Sequence, residues 1–124
     1  MDKDIEKNFI KVEEFIRETE ALIASGLYKD SIGHAYHAMF HAATGALQAN
    51  KIERQTRQSI SSTFEDAFVK TGRLEKKFLN SLRAAASAKI DTGNPSFETS
   101  DHRQAQTVFV KAKEFIAQCR KLCQ

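Results

Sequence analysis

A single proline, Pro95, interrupts a chain of 124 residues whose apolar side chains otherwise recur every three or four positions. That spacing is the repeat of a helical face, and no stretch sustains the two-residue alternation of a half-buried strand. The chain therefore reads as helices joined by short connections, with glycines taken as boundary markers. Ile5, Phe9, Val12, Ile16 and Ile23, widened by Phe15 and Leu22, place a first helix over residues 3–25, which Gly26 ends. A second runs from about Lys29 to Ala49 and is rich in small residues (Ala35, Ala38, Ala42, Ala43, Ala46) that let neighbours approach. A third covers Thr56 to Lys70 through Ile60, Phe64, Ala67 and Phe68, closed by Thr71-Gly72, and a fourth spans Glu75 to Ile90. Residues 91–100 are dense in turn formers, and Thr99 or Ser100 is expected to cap a last helix from Asp101 to about Leu122. The expected fold is an all-α, up-and-down antiparallel bundle of four to five helices, with residues 1–124 as one domain.

Composition narrows the function classes. Hydrophobic residues at 41% and charged residues at 28% are ordinary for a globular chain. No apolar run reaches the roughly 18–20 residues of a membrane span, and the charged start lacks the apolar core of a signal peptide. No membrane association and a cytoplasmic location are expected. Residues 1–30 hold 5 Lys and Arg against 8 Asp and Glu, whereas residues 51–90 hold 9 against 4. The basic middle suits an anionic partner such as RNA, and equally a solvated helix face.

The densest chemistry lies in His34-Ala-Tyr-His-Ala-Met-Phe-His-Ala-Ala43, where His34, His37 and His41 share one helical face. Imidazoles at these spacings could pack at a helix interface, contact an anion or nucleotide, act as acid and base on a phosphodiester, or share a metal. Tyr36 could stack on a base or belong to the core. Lys51, Arg54 and Arg57 cluster ahead of the third helix, where a phosphate or plain solvent would suit them. Cys119 and Cys123, four apart, are a weak metal signal and read as reduced packing residues. A phosphate-cradling glycine loop and paired catalytic carboxylates are both missing, so no metal or other cofactor is expected.

The segment Leu27-Tyr-Lys-Asp-Ser-Ile-Gly-His-Ala-Tyr-His-Ala-Met-Phe-His-Ala-Ala43 resembles the signature of small prokaryotic HEPN-domain proteins, and Phe68-Val-Lys-Thr-Gly-Arg-Leu74 is similar to a second segment of that family. The resemblance implies an all-α bundle that forms a homodimer. It also implies a role beside a nucleotidyltransferase partner or in toxin–antitoxin and defence systems, and, in active members, a metal-independent endoribonuclease. Those active members carry an arginine followed four to six residues later by a histidine. No arginine here has a histidine at that spacing, and Arg57 stands where relatives commonly place the histidine. The chain thus looks like the subgroup without the motif. The expected function is a non-catalytic binding and assembly module with RNA or nucleotide affinity through His34, Tyr36, His37, Lys51, Arg54 and Arg57. The alternative is a divergent ribonuclease using the His34/His37/His41 face, its catalytic candidates being His37, His41 and Arg57.

Overall fold

In the computed structural model, residues 2–53, 58–92 and 101–124 are described, with the side chain of Thr92 left aside. They form α1 (Lys3–Ala24), α2 (Tyr28–Ala49), α3 (Ile60–Phe64) running into a π-helical turn over Glu65–Val69, α4 (Lys76–Thr92) and α5 (His102–Leu122). Helices α1 and α4 lie on either side of a central pair, α2 and α5, each packing against both. The expected all-α antiparallel bundle is the observed one.

Capping explains most boundaries. The Asp2 carboxylate accepts from the Asp4 N–H at 2.7 Å, satisfying one of the donors a helix start leaves unpaired. Asp101 does the same for Gln104 at 2.8 Å, so it, and not Thr99 or Ser100, caps α5, and the helix begins at His102. Thr99 and Ser100 themselves lie outside the described residues. The end of α1 is a Schellman turn: Gly26 at φ 78° lets Leu27 N–H reach the Leu22 carbonyl at 2.9 Å. At the end of α2 the same geometry recurs with Lys51 at φ 57° in the glycine place. There Lys51 N–H bonds Gln48 O and Ile52 N–H bonds Leu47 O.

The third helix departs from expectation. Ser59 is extended and caps it through the Ser62 N–H, so the helix starts at Ile60; Thr56 and Arg57 lie outside the described residues. Its second half is π-helical, with Lys70 N–H bonding the Glu65 carbonyl five residues back. Ile60, Phe64 and Phe68 are spaced four and four, and in a straight α-helix each step of four drifts about 40° round the axis. Widening the second step to π geometry turns Phe68 back, and all three side chains stay buried.

The core gathers Phe64, Phe68 and Phe115, with ring centroids 4.9 Å and 5.3 Å apart, against Met39, Leu79 and Leu82. The alanines of α2 are nearly all buried and bring α1, α4 and α5 close. Two glycines, Gly33 and Gly45, sit inside α2 and do not mark boundaries. Gly45 has a packing reason: a Cβ there would meet Phe9 Cε2 of α1 at 2.7 Å, inside van der Waals contact.

Candidate functional site on the outer face of the second helix

Because α2 lies between α1 and α4, one strip of its surface stays half-open, and the three expected histidines are on it. All three rings gather around one side chain of α1. Phe15 lies 5.8 Å from the ring of His34, 5.5 Å from His37 and 5.7 Å from His41. Spacings of three and four along α2 make this possible, since an aromatic ring opposite the strip can touch three successive positions.

The histidines then differ in what holds them. His34 Nδ1 donates to the Asp30 carbonyl at 2.8 Å, and Nε2 stands 3.3 Å from a Glu18 oxygen, an ion pair once the ring is protonated. His41 Nδ1 donates to Asn8 Oδ1 at 2.9 Å, and Asn8 in turn donates to Gln48 Oε1 at 2.8 Å. This chain of side chains straps the start of α1 to the end of α2, so His41 serves the packing of the two helices. His37 makes no hydrogen bond among the described residues. Burial lowers its pKa from the ordinary 6.5, and the nearby Lys89, His34 and His41 add to the effect. Burial also lowers that of His41, with Lys11 contributing. His37 is therefore a neutral imidazole at pH 7, with both ring nitrogens unclaimed among the described residues.

Tyr36 lies beyond His37 on the flank of α2 that faces α4. Its ring is 5.8 Å from His37 and 6.4 Å from Phe40, and the Lys89 ammonium of α4 lies 5.7 Å from its centroid. Tyr36 also walls a hollow of about 400 Å³ where α2, α3 and α4 meet, beside Ser59, Ser61, Arg83 and Ser87. The structure thus sets His37 between His34, which faces Phe15 and Glu18 of α1, and Tyr36, which faces Lys89 of α4; sequence reasoning did not assign Phe15, Glu18 or Lys89 to a site. Lys89 belonged to the basic middle of the chain, and that charge excess was the signal for it. Lys51 is placed elsewhere. It ends α2 some 14 residues beyond His37, roughly 20 Å along the axis, beside a hollow lined by Asp2, Asp4 and Glu53. Arg54 and Arg57 lie outside the described residues.

Other chemistries find less support. Among the described residues no group of three or more His, Cys, Asp or Glu is placed to hold a metal ion. Cys119 is buried and Cys123 half-buried, both unbridged, and burial pushes both thiols up. Among the described residues no helix is long and apolar enough to cross a membrane.

Comparison with known proteins agrees with the fold. The family model for the HEPN domain matches residues 6–122. A UPF0332 protein of Pyrococcus horikoshii is 30% identical over 80 residues, covering 64% of this chain and 56% of that protein's length, so the chain spans little more than half of that relative. A protein of Methanocaldococcus jannaschii, named as a candidate toxin, is 24% identical over 113 residues, covering 88% of this chain and 81% of its own. With the model matched from the first turn of α1 to the last turn of α5, the chain belongs to the HEPN domain family.

Proposed function

We propose that this HEPN-family chain is a non-catalytic binding and assembly module that acts as a homodimer, takes RNA or a nucleotide on the outer face of α2, and works with a nucleotidyltransferase or another toxin–antitoxin partner protein. The observation that carries the reading is half-open His37 beside Tyr36, with the Lys89 ammonium of α4 near the Tyr36 ring and His34 on the other flank of His37. A cation beside a half-exposed aromatic ring suits a base stacked on the ring and a phosphate near the ammonium. The neutral His37 imidazole next to it supplies a hydrogen bond to a sugar or phosphate oxygen. The relative named as a candidate toxin supports the toxin–antitoxin setting. The missing arginine–histidine pair supports binding without cleavage.

A second reading rests on His37 alone. A neutral imidazole with no hydrogen-bond partner among the described residues is the form a general base takes, which favours a metal-independent endoribonuclease centred on His37, with His41 and His34 beside it. One assay separates the two. Purified protein is titrated into end-labelled single-stranded RNA, with anisotropy read for binding and denaturing gels for cleavage. The module binds and returns intact RNA, and His37→Ala together with Lys89→Ala weakens it. Cleavage lost on His37→Ala establishes the ribonuclease instead. Absence of both binding and cleavage overturns each reading of the α2 face.

A further inference from the structure

A second surface shares no residue with the histidine strip. Between α1 and α5 runs a groove of about 740 Å³ floored by Phe9. The Arg120 guanidinium of α5 lies 4.9 Å from the centroid of that ring and pairs with Glu13 of α1, fixing one wall. At the rim stands Ile10, 57% exposed on a helix whose other large apolar residues are turned inward. Glu6, Ile10, Glu13 and Arg17 follow at intervals of four, three and four and so form one stripe of α1.

The charges of that stripe are unfinished. Among the described residues neither Glu6 nor Arg17 has an ion pair or a side-chain hydrogen bond. They are opposite in sign and eleven residues apart, roughly 16 Å along the helix, too far to meet within one chain. Two copies of α1 laid antiparallel about a two-fold axis between residues 11 and 12 bring each Glu6 against the other copy's Arg17. The same axis sets each Ile10 beside the other copy's Glu13, where its side chain can cover the apolar floor at Phe9. An isologous contact repeats each pairing, so one unpaired couple in the monomer becomes two ion pairs in the dimer.

We propose that the α1/α5 groove is the surface through which two copies of this chain associate, with Ile10 as the central apolar anchor and reciprocal Glu6–Arg17 pairs fixing the register. This rests on the dimer in the functional reading above and adds the face that makes it. Sedimentation equilibrium across a concentration series tests it, with circular dichroism showing that each variant is folded. Glu6→Arg and Arg17→Glu each set like charges opposite one another and raise the dimer dissociation constant roughly tenfold. The double reversal restores the pairs and returns it to near the starting value. Ile10→Asp raises it roughly a hundredfold. A wild-type dimer indifferent to all four variants overturns this interface and leaves the dimer standing. Weakening by the single reversals without rescue by the double overturns the Glu6–Arg17 pairing. A wild-type protein monomeric throughout overturns the interface and the dimer together.

Discussion

Replacing Phe15 by alanine removes a ring around which all three clustered histidines gather. A fully buried Phe→Ala change costs about 3–5 kcal/mol, and Phe15 is half-buried, so the loss of stability is about 2 kcal/mol. The more telling effect is on titration. Burial is the largest cause of the lowered pKa at both His37 and His41, and removing the ring opposite them admits water, so both values move up toward 6.5. In the unfolded chain these groups take the ordinary value, so as pH falls through 6.5 toward the lower folded values the unfolded state binds the extra protons. The two histidines therefore stabilise the fold above about pH 6.5, and this contribution is lost as pH falls through their folded values. Phe15→Ala shrinks that loss. Carbon–proton correlation spectra of the imidazole rings across a pH series give the two pKa values directly, and urea unfolding at about pH 5.5 and about pH 8 gives the linked stability. His37 and His41 titrating at or above 6.5 in the wild type, or unmoved by Phe15→Ala, would refute the reasoning.

Three further outcomes follow from backbone and core geometry. Lys51→Gly removes a side chain from a left-handed position and stabilises the protein by about 0.5–1 kcal/mol in urea unfolding, without weakening RNA binding, because Lys51 stands far from the histidine strip. Asp101→Ala takes the acceptor from the Gln104 N–H and costs about 1 kcal/mol, read as a lower thermal midpoint together with faster amide exchange in the first turn of α5. Phe64→Ala opens a void between Phe68 and Phe115 and costs about 3–5 kcal/mol, enough to leave the protein largely unfolded by circular dichroism at moderate temperature.

The bundle was legible because its signals are local. Ile5, Phe9 and Val12 repeat at the helical period, Gly26 sits where α1 must reverse, and the alanines of α2 mark a helix surrounded by others. The π-helical turn was not legible, since Phe64 and Phe68 at a spacing of four fit either helix type and only burial against Phe115 decides between them. Lys51 in a glycine position was hidden for a similar reason: the two hydrogen bonds that hold it come from the end of α2, not from its own preference. The histidine strip was visible as spacing. Its centre at Phe15 was not, because a phenylalanine on α1 reads as core whether it meets aliphatic side chains or imidazoles. Lys89 lies more than fifty residues beyond Tyr36, and only the packing of α4 against α2 joins them.

The most direct test of the central claim is a nitrogen–proton correlation spectrum of the labelled protein titrated with a short single-stranded RNA. Shifts confined to α2 around His34, Tyr36 and His37 and to the end of α4 at Lys89, with the RNA recovered intact, are the predicted result. Shifts that cluster on another surface, or a spectrum unmoved at saturating RNA, would contradict it.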